Sequence, residues 1–211
     1  MYCLFGASSL NLNHIAVKAP RAILIVAGLL LTSLFLWPMW RITLLAPQYP
    51  DGVHMYIYID KIGGRTEGTL QNVNILNHYI GMKPITPDAI PELKYMPRIV
   101  LFFIASAFLT ALLDKKWVYW FWGISFIVVL CLGIYDFYLW EYDYGHSLDP
   151  KAPIKFEGES FQPPLLGSRQ IINFTAISVP HIGGYLMMLS AFLGLVAIYL
   201  KSALRTHKQS S

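Results

Sequence analysis

The chain has 211 residues, of which 55% are hydrophobic and 13% charged, and its net charge is +4. Soluble domains carry roughly 25% charged residues, so a chain solvated partly by lipid is indicated, and no Lys/Arg run suggests nucleic-acid binding. Two cysteines, Cys3 and Cys131, with no CxxC exclude a disulfide framework, thiol metal sites of the usual spacing and c-type haem attachment.

A membrane helix needs about 20 mostly apolar residues to cross the hydrocarbon, and four stretches qualify. After a tail of residues 1–21, the run Ala22 to Trp40 is uncharged and opens a first span placed at 22–45. Lys18 and Arg21 precede it as in a signal peptide. Its apolar part is longer than a signal h-region and no small-residue cleavage site follows, so it reads as an uncleaved anchor. A first loop covers 46–96. The second span covers 97–113, with Pro97 suited to a first helical turn. The third covers 117–139, with Trp117, Tyr119, Trp120 and Trp122 at one end and Tyr135, Tyr138, Trp140, Tyr142 and Tyr144 at the other. Trp and Tyr favour the headgroup level. A second loop covers 140–178, the fourth span 179–200, and a tail 201–211.

Four spans put both termini on one side. The tails and the short link between the second and third spans carry Lys18, Arg21, Lys115, Lys116, Lys201, Arg205 and Lys208, with Asp114 their single acid. The other eleven acids fall in the long loops and their margins. The positive-inside rule therefore places both termini in the cytoplasm and both long loops outside. The predicted fold is an α-helical membrane protein with four transmembrane helices, N-in/C-in, and a small mixed periplasmic cap built from the two loops.

Within the first loop, Val53 to Asp60 alternates as a strand does. Val53, Met55, Ile57 and Ile59 make one face; His54, Tyr56, Tyr58 and Asp60 make the other. Gly63-Gly64 reads as a turn. Thr69 to Ile85 fits a short helix capped by Thr69 and ended by Gly81 and Pro84, with His78 and Met82 on one face. In the second loop the third helix can continue for one or two turns until Gly145, lining up Asp136, Trp140 and Asp143. The Pro- and Gly-rich remainder suggests a structured loop with a short strand pair. Pro180-His181-Ile182-Gly183-Gly184 opens the last span, the glycines permitting close helix packing.

Four of six histidines, His54, His78, His146 and His181, thus share one predicted side; His14 and His207 lie in the tails. Imidazole suits copper, iron and zinc, and thioether favours Cu(I). His54, His78, His146, His181 and Met82 are the candidate metal ligands, with Asp136 and Asp143 as carboxylates that orient a histidine. No HxH or HxxxH spacing supports this. The plainer alternatives are a hydrogen-bonded His54, a His78 bonded to backbone in a turn, a His146 favouring a helix C-terminus and an interfacial His181. Asp136, Glu141 and Asp143 read as a solvated acidic patch. No P-loop, Rossmann glycine pattern, GxSxG or HExxH is present, so the chain does not read as an enzyme.

The stretches Leu76 to Ile85, Tyr135 to Phe156 and Pro180 to Tyr185 resemble a family of small bacterial membrane proteins encoded with copper enzymes, in particular nitrous oxide reductase. The resemblance spans Leu45 to Tyr185. It implies an accessory protein of the bacterial inner membrane that serves copper supply, electron delivery or assembly of a periplasmic metalloenzyme. Of the candidate ligands it covers His78, His146 and His181 within those stretches. Two rivals stand beside this reading. One is a structural anchor that holds partner subunits of a respiratory complex, using aromatic-rich loops as its interface. The other is a redox subunit binding haem, which wants histidines within the spans and finds only His181 near one.

Overall fold

The computed structural model describes residues 5–152, 161–171 and 174–209, with side chains described at 18–152, 161–171 and 174–203. The loop segment 153–160 and the side chains of His14 and His207 lie outside these. Among the described residues the order is α1 (Phe5–Leu31), β1 (Trp40–Ala46), β2 (Tyr49–Ile57), β3 (Ile62–Gly64), α2 (Thr69–Ile80), α3 (Glu92–Leu113), α4 (Lys116–His146), β4 (Gly167–Ile171), β5 (Phe174–Pro180) and α5 (Ile182–Gln209). The chain divides into two compact units: residues 1–33, 99–130 and 186–211, and residues 34–98 and 131–185.

The first unit is helical. Four helices are long and apolar enough to cross a membrane, over Lys18–Phe35, Glu92–Leu113, Lys116–His146 and Ile182–Ala203. Small residues sit where they touch. Ala107 faces Gly28, the Ser190 hydroxyl donates to the Ala27 carbonyl at 2.8 Å, and Gly194 leaves room for the Trp122 ring. The rings of Phe103, Trp122 and Phe126 pack against one another in edge-on and tilted contacts, and the Trp122 indole donates to the Phe103 carbonyl. Only 28% of each of the α3 and α4 spans is buried, although both are apolar around the whole circumference. In a water-soluble bundle such helices would be buried.

One carboxylate ties this unit together. Asp114 lies in the link between α3 and α4, in the left-handed region at φ 52°. It accepts from Arg21 of α1 at 2.6 Å, pairs with Lys201 of α5 at 2.6 Å and accepts the Tyr119 hydroxyl of α4 at 3.2 Å. Burial alone would raise its pKa. Hydrogen bonds from Arg21 and Lys201 outweigh that and hold the carboxyl below its usual range.

The second unit is an antiparallel sheet in the order β3-β2-β1-β5-β4. Its face formed by Ile42, Val53 and Met55 packs on Val73 of α2 and on Ile85 and Leu93, with Phe137, Trp140 and Tyr144 of α4 against them. The alternation predicted for β2 is present: Val53 and Met55 are buried, while His54 and Tyr56 take the other face. Gly81 ends α2 as expected, at φ 80°.

Several boundaries differ from the sequence reading. Trp40–Ala46 forms the central strand β1 and not the end of the first span. A short, mostly apolar run such as WRITLLA, with Arg41 its single charge, does not by periodicity distinguish a helix end from a buried strand. Pro97 lies in the second turn of α3, because Glu92 and its neighbours extend the helix backward. The turn expected at Gly63-Gly64 comes earlier, where Tyr58 N–H donates to the Lys61 carbonyl, and the glycines pair with β2. Thr69 does not cap α2; its hydroxyl accepts the Thr66 amide. The α4 helix continues through Gly145 to His146. There the Gly145 carbonyl accepts the Phe161 amide, and a Cβ would collide with the Gln162 backbone.

The strand ladder continues into α5. His181 N–H donates to the Met39 carbonyl at 2.9 Å and Gly183 N–H to the Pro38 carbonyl at 3.0 Å. A Cβ at Gly183 would stand 2.6 Å from the Trp37 carbonyl, and one at Gly184 would collide with that of Met39. These glycines therefore serve helix-to-strand contact and not only the helix packing expected.

Asp114→Asn is expected to lower stability by about 1–3 kcal/mol, the usual worth of hydrogen bonds to charged groups, with the Arg21 share reduced by solvent screening. Because the folded pKa is depressed, the contribution is full above the unfolded value and disappears as pH falls through the folded one. Thermal melts in detergent between pH 7 and pH 3 should show wild type losing stability on acidification more steeply than Asp114→Asn. Gly184→Val should shift the junction of β1 and α5 and cost about 1–3 kcal/mol by overpacking, read in the same melts. An unchanged melting temperature would contradict the close approach.

Candidate functional site

The sheet divides the sequence-nominated residues between its two faces. His54 pairs across β1 with Thr43, and its Nδ1 lies 2.9 Å from the Thr43 hydroxyl. Tyr56 pairs with Arg41, and the His181 ring meets the Tyr56 ring edge-on at 5.3 Å. His54 and His181 therefore share the face opposite the core. His78, Met82 and His146 belong to α2, the chain just after it and α4, which pack on the core face.

Each has local partners. His78 is exposed beside Tyr79. Because α2 ends at Ile80, Met82 leaves the helix, its amide donating to the Asn77 carbonyl, so His78 and Met82 do not share a helical face. His146 stacks on Tyr142 with ring centroids 4.0 Å apart and donates from Nδ1 to the Tyr142 carbonyl at 3.0 Å. Asp143 is taken by Lys83 at 2.8 Å and the Ser147 hydroxyl at 2.7 Å, and not by a histidine. Asp136 is exposed. Among the described residues no three His, Cys, Asp or Glu side chains group to hold a metal ion.

What the sequence reading missed is Glu141. Grouped there with a solvated acidic patch, it is 0% exposed, and neither carboxyl oxygen has a hydrogen-bond partner among the described residues. It lines a cavity of about 50 Å³ on the core side of the sheet. The wall includes Ile42 and Leu44 of β1, Val73 of α2, Met82, Trp140 and Phe161. The signal was present in the helical period: Phe137, Glu141 and Tyr144 are spaced i, i+4, i+7, the stripe that a helix buries.

Asn74 shapes the rim of this cavity. Its amide nitrogen donates to the Ile85 carbonyl at 3.1 Å, and its oxygen accepts the Ile85 amide at 2.7 Å. The Asn77 side chain donates to the Lys83 carbonyl at 3.3 Å. The chain following α2 is thereby held as a wall.

No charged neighbour acts on Glu141, and burial pushes it toward the neutral acid. Burying a carboxylate unpaired costs several kcal/mol, so the acid is held protonated. On the other sheet face, burial and then the Arg41 charge lower the pKa of His181 below its ordinary value. His181 Nδ1 and Arg41 Nε are both buried without a partner.

Neither the family models nor the curated proteins compared with the chain gives a match.

Replacing Glu141 by Leu removes an unmet polar group and keeps most of the volume. The expected result is a gain of about 1–3 kcal/mol, measured by melting in detergent; a loss of stability would show that the carboxyl has a partner. His181 supplies a second prediction. Its lowered folded pKa makes the fold favour the neutral ring, so stability is full above the unfolded value of about 6.5 and declines as pH drops below it. His181→Gln should flatten the part of the melting profile between pH 7 and pH 5.

Proposed function

We propose that the protein is a multi-pass protein of the bacterial cytoplasmic membrane that anchors and displays its sheet unit on the outer side, as an accessory subunit and not as an enzyme. The observation that carries this is the apolar exterior of the four long helices. Leu101, Phe102, Leu109 and Leu112 of α3, Phe121, Ile124 and Val128 of α4, and Phe192 and Leu195 of α5 all face outward. Water tolerates isolated apolar side chains but not contiguous surfaces of this extent, whereas lipid solvates them. At 1.5 Å per residue α4 is about 46 Å long, well beyond the roughly 30 Å of hydrocarbon. Its Trp117 end is read as one headgroup level, and its last turns are read as standing outside with Glu141, Asp143 and His146. The basic residues around Asp114 support a cytoplasmic assignment for that end.

A second reading is copper supply to a periplasmic enzyme such as nitrous oxide reductase. Beyond the sequence resemblance, one observation favours it. His146 commits Nδ1–H to a carbonyl and so leaves Nε2 as the available ligand atom, an arrangement common to metal-bound imidazoles. Haem between helices has no comparable support.

Two experiments separate these readings. In a background of Cys3→Ser and Cys131→Ser, His78→Cys should react with an impermeant maleimide on intact cells, and Lys116→Cys only after permeabilisation. The reverse pattern would overturn the orientation. The purified protein should contain no stoichiometric copper, iron or zinc by elemental analysis. Copper lost on both His78→Ala and His146→Ala would replace anchoring by copper handling as the primary role.

A further inference from the structure

The core-side cavity has a chemistry that the anchoring role does not use. Among the sixteen described residues that line it, only Asn77, Trp140, Glu141 and Tyr144 carry a side-chain nitrogen or oxygen. Asn77 is engaged with Lys83, and the Tyr144 hydroxyl donates to the Pro84 carbonyl at 3.4 Å. The Trp140 indole lies against Tyr144, whose hydroxyl it serves as a donor; that leaves the Glu141 carboxyl, buried and without a partner among the described residues. Native proteins rarely leave such a group unmet without a reason.

We propose that this cavity binds a small apolar molecule through a carbonyl oxygen, with the Glu141 carboxyl as its hydrogen-bond donor.

The ligand class follows by accounting. A neutral carboxylic acid offers an O–H donor, and a carbonyl meets it without requiring a charge. An anion would find no cation among the lining residues. An ammonium group would require Glu141 to ionise against the burial that favours its neutral form. A sugar or other polyol would set several hydroxyls against Ile, Leu, Val, Met and Phe side chains and leave them unbonded, at about 1–3 kcal/mol each. Ketones and quinones combine an apolar body with an acceptor. The volume, about 50 Å³, exceeds the roughly 10–15 Å³ that a single water requires. The site lies wholly within the sheet unit, so the inference is independent of which side of a membrane that unit faces.

Two probes of nearly equal shape test this: cyclohexanone and methylenecyclohexane, which replaces the oxygen by a CH₂ group. Each is titrated against the full chain in detergent, with binding read by saturation-transfer NMR and corrected for uptake by empty micelles. Cyclohexanone is expected to bind at least about tenfold more tightly than methylenecyclohexane, the factor that corresponds to one net hydrogen bond. Glu141→Leu should remove that preference while leaving methylenecyclohexane binding in place, which also shows that the variant is folded and the cavity open. Glu141→Gln, whose amide still donates, should retain most of it. Equal binding of the two probes, or a preference that survives Glu141→Leu, would overturn the proposal. So would saturable binding of butylammonium with proton release in place of the ketone. If neither probe binds saturably, the cavity holds water alone and the proposal fails.

Discussion

Residues 40–44 are paired with β2 along one side and with β5 along the other, and the sheet unit is organised by that double pairing. Because β1 is the central strand, its side chains alternate between two environments. Ile42 and Leu44 enter the core and the cavity wall, while Arg41 and Thr43 go to the face that carries His54, Tyr56 and His181. A register shift of one residue would exchange these sets. The junction with α5 fixes the register further, since the backbone at Pro38 and Met39 accepts from Gly183 and His181 where side chains would not fit. The Trp40 indole adds a cross-strand bond to the buried Ser178 hydroxyl at 2.7 Å, and that hydroxyl donates in turn to the Leu165 carbonyl.

The two units meet their polar requirements differently. In the helical unit a single acid, Asp114, gathers two cations and a phenol, so its charge is compensated on three sides. In the sheet unit Glu141 has no such partners. A buried acid without compensation lowers stability, and a fold retains such a group where an activity needs it. This contrast sets Glu141 apart from Asp114 as an acid buried without compensation among the described residues.

The nominated histidines lie on both faces of the sheet. All four fall in the sheet unit. The sheet nevertheless separates His54 and His181 from His78 and His146, and each has acquired a local partner such as Thr43, Tyr56, Tyr79 or Tyr142. A metal site requires convergence within a bond length of about 2 Å, and assignment to a common loop region does not provide it.

By itself the sequence determined the four long apolar helices, because runs of uncharged residues admit few other solutions, and it determined the two faces of β2, because alternation has only one period. It also marked the end of α2, since Gly81 readily takes a positive φ. The tertiary structure decided what depended on distant partners. Trp40–Ala46 became a strand because β2 and β5 were there to pair with it. The Gly183-Gly184 pair became a strand-to-helix contact because the Pro38 and Met39 carbonyls approached. Glu141 became a buried acid because the α4 face that carries it was covered by the sheet and by α2, whereas Asp143, two residues on, stayed in solvent with Lys83. Burial is set by what packs against a residue from elsewhere in the chain, and local pattern carries that only as far as the helical period.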